Sequence, residues 1–279
     1  MRSDASGPDA DADARLAEQR SGIAIRELDD MRSLAAVQRL YEAVWRTGPA
    51  GTPVTADLLR ALAKSGNPVF GAFDGDELLG ACFGFSSPPD TANFHSHIAG
   101  VTAGAQGRSI GLALKLRQRA WALGRGMRTM TWTFDPLIRR NAVFNLAKLG
   151  VEPVEYLTDF YGQMDDDVNR GDASDRLLVR WHLDRPLPPH REQAVPPPPE
   201  AIRIPVPADV ETLRLDDPLR AAGWRLDLRR ELGARMAAGA SVIGFARDGH
   251  YLVVPAAASA ASAAPPGTAP TPAEKQETP

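Results

Sequence analysis

His95 and His97 stand two residues apart in the run FHSHIAGV. Residues i and i+2 of a strand point to the same side, so an extended run would turn both imidazoles toward one cavity. An imidazole with an unperturbed pKa of about 6.5 can take a proton near neutral pH. That suits a general base for an incoming ammonium group. The same pair could also be hydrogen-bonded or exposed strand histidines without a chemical role; no metal is expected there.

A second candidate follows in Gln106-Gly107-Arg108-Ser109-Ile110-Gly111. Ile98, Val101 and Ala103 before it read as the end of a strand. Leu112, Ala113, Leu116, Ala120 and Leu123 after it fall at helical spacing, with Lys115, Arg117, Gln118 and Arg119 between them and Gly124 as the stop. A helix entered through a Gly-bearing turn directs unpaired N–H groups and the positive end of its dipole at one point, where a phosphate or pyrophosphate can sit. The same letters contain G-x-S-x-G, the nucleophile elbow of serine hydrolases. Asp135 or Asp159 followed by His182 would supply the remaining triad members in chain order. Against a hydrolase, no His-Gly-Gly segment lies upstream, and the chain before the turn is short for that fold.

The elements that must position these residues alternate along the chain. Residues 22–28 read as a strand, and Asp29 or Asp30 can cap a helix carrying Leu34, Val37, Leu40, Tyr41 and Val44. Thr55-Ala56-Asp57 opens a second helix through Leu58, Leu59 and Leu62. Segments 69–73 and 77–85 flank Asp74-Gly75-Asp76, a hairpin signal. Strands are expected at 94–102 and 128–134, on either side of the central helix. Asp135-Pro136 reads as the start of a helix with Ile138, Ala142, Leu146 and Leu149 on one face. Strands at 154–160 and 177–183 complete the unit.

Gln106-x-x-Ser109-x-Gly111 resembles the Q/R-x-x-G-x-G/A pyrophosphate loop of the GNAT (Gcn5-related) N-acetyltransferase superfamily, with Ser109 where the family usually has glycine and a residue type that resists positive φ. The order of elements over about 22–184 is the GNAT order. The segments HSHIAGV, WTFDPLIRRNAVFNLAKLG and DRLLVRWHL are similar to a less characterised subgroup of predicted acyltransferases. The resemblance implies an acyl-CoA co-substrate held by the loop (Gln106, Gly107, Arg108, Ser109, Ile110, Gly111). It implies backbone groups from Ile98, Ala99, Gly100 and Val101 along the pantetheine arm, a slot where the two central strands splay, and Asn141 near the cofactor. Arylalkylamine acyltransferases of the same fold carry a His-x-His on the equivalent strand, which sharpens the reading of His95 and His97. The family's usual acid, a tyrosine, is replaced by Leu146. Tyr161 is preferred as substitute, with Tyr156 or water as alternatives, and Arg139 and Arg140 could hold a carboxylate.

The expected fold is therefore α/β, a mixed, mostly antiparallel sheet with helices on both faces, plus a small C-terminal α+β extension. Residues 1–21 read as a disordered leader, too polar to repay ordering. Residues 185–200 form a Pro-rich linker, 201–255 the extension, and 256–279 a disordered tail. In the extension, 201–206 reads as a strand, Asp217-Pro218 as a helix start, and 241–247 with 250–254 as a hairpin. So short a piece is marginal alone and is expected to pack on the domain before it. The net charge of −3 gives no basic footprint for nucleic acid, and no stretch approaches a membrane span. Cys82, the sole cysteine in 279 residues, leaves no intrachain disulfide and suits a reducing cytoplasm. The expected activity is transfer of an acetyl or succinyl group from acyl-CoA to a small amine or amino acid; a homodimer is left open. An acyl-CoA-binding sensor without turnover is the rival, and a serine hydrolase the third reading.

Overall fold

Hairpin chemistry and strand alternation set the main sheet. In the computed structural model, which describes residues 9–47, 51–162, 164, 166, 168–188 and 197–256, seven strands pair in the order β1-β2-β3-β4-β5-β7-β6. These are β1 (Ala24–Glu27), β2 (Val69–Asp74), β3 (Glu77–Ser86), β4 (Asn93–Val101), β5 (Thr129–Phe134), β6 (Glu152–Leu157) and β7 (Arg176–His182). The β2–β3 turn passes through Gly75 at φ 58°, a conformation that glycine adopts without penalty. All neighbouring strands are antiparallel except β4 and β5. β6 stops short of the expected 160 because the chain turns at Asp159, whose carboxylate accepts from the Ser174 N–H at 3.0 Å.

One face of the sheet is covered by α2 (Met31–Trp45) and α3 (Ala56–Lys64). Leu34, Val37, Tyr41 and Leu59 pack there on Val69, Ala81 and Phe83. Asp30 caps α2, accepting from the Ser33 N–H at 3.0 Å. The other face is covered by α4 (Ile110–Leu123), whose Ile110, Leu114 and Trp121 meet Phe70, Cys82, Phe94 and Met130.

The N-terminal segment corrects an expectation. Residues 10–21 are not a disordered part of a leader but form α1 (Ala10–Ser21), capped by Asp9 and packed along α4 through Ala10 and Ala14; residues 1–8 lie outside the described residues. Composition hid this helix because its buried face is alanine. Its acids pair with α4 instead, Asp13 with Arg119 at 2.9 Å and Glu18 with Arg117. With the sheet on one side and α1 on another, α4 has little solvated surface. Lys115, Gln118 and Arg119, read as polar residues between apolar positions, are 5%, 0% and 0% exposed. Deleting residues 1–21 is expected to cost about 2 kcal/mol through loss of the charge-assisted bond to buried Arg119. That should lower the melting temperature by about 4–8 °C, read by circular dichroism.

After β5 the helix begins later than expected. Asp135 does not cap it; α5 (Arg139–Ala142) starts from Ile138 and runs on as a π-helical stretch, Val143–Leu149. Asp135 is instead claimed by the C-terminal extension. That piece comprises β8 (Ile202–Pro205), α6 (Val210–Asp216), α7 (Pro218–Leu228), a π-turn at Arg229–Gly233, α8 (Ala234–Ala237), β9 (Ser241–Ala246) and β10 (His250–Val254). Its three strands pair in the order β8-β10-β9, and α6 and α8 are elements of this piece that sequence reading missed. Leu228, Leu232, Phe245 and Val253 share one core with Leu146, Leu149 and Leu177, and the Tyr251 hydroxyl donates to the Pro136 carbonyl at 2.8 Å. Leu187, in the expected linker, also packs on this core. Linker residues 189–196 and tail residues 257–279 lie outside the described residues.

Candidate active site

The two central strands part company beside the histidines. β4 and β5 pair only through Asn93↔Thr129, Phe94↔Met130 and His95↔Thr131, yet β4 runs on to Val101 and β5 to Phe134. Beyond His95, the edge of β4 that faces β5, including Ile98, Ala99, Gly100 and Val101, has no partner strand among the described residues. On its other edge, the register with β3 slips between Phe83↔Ile98 and Gly84↔Ser96, leaving His97 opposite no residue. Such a bulge bends the strand and re-aims its side chains. Gly84 is needed at this crossing, since a Cβ there would overlap the His95 carbonyl and the Phe94 ring.

His95 and His97 lie on the face that α2 and α3 cover, with ring centroids 5.8 Å apart. Phe85 touches both at 5.1 and 5.7 Å, and Phe83 stacks edge-on against His97 at 5.4 Å. Burial lowers the His95 pKa to about 4, with the neighbouring His97 and Lys115 charges adding to the effect. His97 is exposed at its rim, and desolvation by these rings lowers its pKa too. The His95 Nδ1 lies 3.4 Å from Thr131 Oγ1. Two residues along β5, Thr133 Oγ1 lies 3.1 Å from the Tyr161 hydroxyl, and the Arg176 guanidinium sits 5.4 Å from the centre of that ring. The structure thus brings His95, His97 and Tyr161 to one side of the split, with the β5 threonines between them. Tyr156 is not free for this work, because its hydroxyl donates to Asp175 at 2.7 Å.

At the far end of β4 the expected loop leads into α4. Gly107 has φ 85° and Ser109 φ 62°. Ser109 therefore adopts the left-handed conformation that its residue type resists, at a cost of about 1–2 kcal/mol. Its side chain caps nothing. The N–H groups of Gly107, Ser109, Ile110 and Gly111 have no hydrogen-bond acceptor among the described residues. A Cβ at Gly107 or Gly111 would meet no heavy atom within 4 Å. Gly111 is also without a positive φ, so nothing in the fold itself demands glycine there. Gln106 closes the short turn before the loop through its N–H to Ala103 O. Arg108 points away, to Asp74 at 2.9 Å and to the carbonyls of Ser21 and Gly22.

Other expectations fare differently. Arg139 donates to the Val206 carbonyl at 3.1 Å and Arg140 pairs with Glu211, so the extension occupies both arginines. Asn141 is half-buried in α5, with no side-chain hydrogen bond among the described residues. The hydrolase triad is not assembled. His182 pairs with Glu152, Asp159 with Ser174, and Asp135 with two arginines. Moreover, His182 pairs with Thr129 at the start of β5, while Ser109 follows the end of the parallel strand β4. Sequence reading also missed a buried polar cluster on the α4 side: Lys115 Nζ donates to Ser96 Oγ at 2.6 Å, and that hydroxyl donates to Gln118 Oε1 at 2.8 Å. No local signal marks it, because polar residues on a helix ordinarily face water.

A cavity of about 310 Å³ lies elsewhere, between α1, β1, β2 and α4, lined by Ile25, Phe70, Arg117 and Trp121 among others. Among the described residues no group of three His, Cys, Asp or Glu could hold a metal ion, and no helix is long and apolar enough to cross a membrane. Over residues 22–184 the element order and the splaying of β4 from β5 are those that the resemblance implies, and the structure adds that these two strands are parallel. The sheet is mixed and mostly antiparallel with helices on both faces, the architecture that the resemblance implies. No family profile and no curated protein matches the sequence. Solved structures similar to this chain include a ribosomal-protein-alanine N-acetyltransferase from Brucella melitensis, at 18% identity and TM-score 0.48, over 57% of this chain and 99% of that one. An N-acetyltransferase from Staphylococcus aureus Mu50 is similar at 18% identity and TM-score 0.47, over 58% and 98%. A GNAT superfamily phosphinothricin acetyltransferase from Sinorhizobium meliloti, in complex with AcCoA, follows at 17% and 0.47, over 60% and 89%. With TM-scores below 0.5, these likenesses assign this chain neither a family nor an activity.

Proposed function

We propose that this chain transfers an acyl group, acetyl or succinyl, from acyl-CoA to a small amine or amino acid. The observation that carries this reading is the split between β4 and β5 beside a helix-entry loop with four unbonded N–H groups and an unfilled glycine at 111. That cradle fits a pyrophosphate. The backbone N–H groups of Gly107, Ser109, Ile110 and Gly111 would hold it, with Gln106 closing the turn before them, and the free edge of Ile98–Val101 would accept the arm. Arg108, engaged with Asp74, would brace the loop, and Asn141 would stand near the arm. The bound thioester supplies an activated acyl group. His95 and His97, neutral at pH 7, take the proton from the ammonium; Thr131 orients the His95 ring, and Thr133 holds the Tyr161 hydroxyl toward the same side. The buried free thiol of Cys82, its pKa raised to about 12 by burial, suits a reducing cytoplasm.

A second reading, acyl-CoA binding without turnover, is favoured by one observation: Leu146, where the family carries its tyrosine, is buried in the core. Calorimetry and a free-thiol assay across acetyl-CoA, succinyl-CoA and an amine panel separate the two. Gly111→Asp is expected to weaken CoA binding at least tenfold, about 1.4 kcal/mol, by placing a carboxylate at the cradle. Gly111→Ala should keep or raise the melting temperature, because alanine is the better helix former by up to about 1 kcal/mol. Unchanged affinity in a folded Gly111→Asp protein would remove the assignment.

A further inference from the structure

Lys115 occupies the fork where the two strands separate. Its Nζ lies 2.6 Å from Ser96 Oγ and 3.9 Å from the centre of the Trp132 ring. Ser96 and Trp132 are the residues that directly follow the last β4–β5 pair, His95↔Thr131. The amine therefore reaches the base of the split from the α4 side, opposite the histidine face. It is 5% exposed, and Ser96 is its one oxygen partner among the described residues. A buried ammonium with one hydroxyl and one ring for company is poorly compensated. An apolar residue would suit the fold better. Groups kept at such a cost concentrate at functional sites.

We propose that Lys115 is the proton donor to the leaving thiolate of acyl transfer, an assignment that rests on the acyl-CoA reading above. The amine lone pair forms the new C–N bond as the proton on nitrogen passes to the histidine face. The C–S bond breaks with its electron pair going to sulfur, and sulfur takes a proton from the Lys115 ammonium. Nζ, left neutral, is reprotonated from solvent when the slot empties. Attack and departure are thereby served from opposite faces of the sheet, and the role vacated at Leu146 in the π-helical stretch passes to α4. Ser96 is a positioning residue, since its hydroxyl accepts from Nζ while donating to Gln118.

Burial lowers the Lys115 pKa to about 7, against a smaller opposing influence of Cys82 on β3. His95 on β4 is the other titratable neighbour, itself depressed partly by Lys115; Gln118 and Trp132 complete the surroundings with neutral groups. The donor form therefore exists below about pH 7, and turnover is expected to fall as pH rises through that value.

The test uses the full chain, acetyl-CoA and an amine that gives turnover. Lys115→Met is expected to melt higher than wild type, to bind CoA with unchanged affinity and to lose about 10²–10⁴-fold in kcat. With the selenoester analogue of acetyl-CoA, which departs as a selenolate without needing a proton, the deficit should shrink to less than about tenfold. Independently of any variant's folding, an NMR titration of lysine Cε in the unliganded wild type should show one lysine titrating near 7. Unchanged kcat in Lys115→Met, a deficit undiminished with the selenoester, no lysine below its ordinary range, or stable acylation of Lys115 would each overturn the assignment with the acyl-CoA reading intact. Absence of CoA binding in the wild type would overturn both.

Discussion

Replacing Asp135 with alanine is expected to loosen the C-terminal extension from the sheet at a cost of about 3–5 kcal/mol, the usual penalty for breaking one side of a buried ion pair. Asp135 is 5% exposed and receives Arg225 at 2.7 and 2.9 Å and Arg214 at 2.6 Å. Asp172 takes the same two guanidiniums at 2.9 and 2.8 Å. The two acids each bridge the same two guanidiniums, with buried Arg176 close enough to act on Asp135; removing one acid leaves buried positive charge without a counterpart. Replacing the network wholesale by apolar residues should cost far less, so comparing the single variant with a fully apolar set separates lost charge balance from lost packing. The measurement is urea unfolding, with dye binding to report exposed apolar surface. If Asp135→Ala unfolds at the wild-type midpoint, the clasp does not hold the extension.

The same clasp predicts a pH window. Burial alone would raise the Asp135 pKa, but the charges and hydrogen bonds of Arg225 and Arg214 outweigh it and hold the carboxyl below the usual range. A depressed carboxyl contributes stability in full above its unfolded pKa of about 3.9 and loses it as pH falls toward the folded value. Stability should therefore hold through mild acid and drop below about pH 4, beginning with release of the extension.

His95→Gln and His97→Gln are each expected to lower kcat/KM for the amine by about 10²–10⁴-fold while CoA affinity stays nearly constant. The structure orders the two. A base works best with a pKa near the operating pH, and His95 sits at about 4. His97, exposed at its rim, is better placed to accept the proton and pass it to water, so its loss should be the larger. Because His97 helps to depress His95, removing it should also raise the His95 pKa and shift the acidic limb of the pH–rate profile. The double variant should cost less than the sum of the singles, since the pair acts as a unit. Wild-type rates and an unchanged profile in both single variants would place the base elsewhere.

What the sequence by itself determined about this protein is what neighbours along the chain decide. The strand period of two puts His95 and His97 on one side. The turn at Gly75, a cap at Asp29 or Asp30 (Asp30 in the structure) and the glycines leading into α4 act over a few residues, and they were legible. The tertiary structure alone decided that α4 is covered twice, so that Lys115, Gln118 and Arg119 are buried, and that Asp135 serves the extension rather than α5. It also decided that Arg139 and Arg140 are occupied and that Ser109 is held at positive φ. Each depends on a partner far off in the chain: Asp13 lies 106 residues from Arg119, and Arg225 lies 90 from Asp135. A polar side chain carries no local mark of whether it will meet water or a counter-charge. Only the assembled layers settle which, because the cost of burying it is set by the groups that arrive around it.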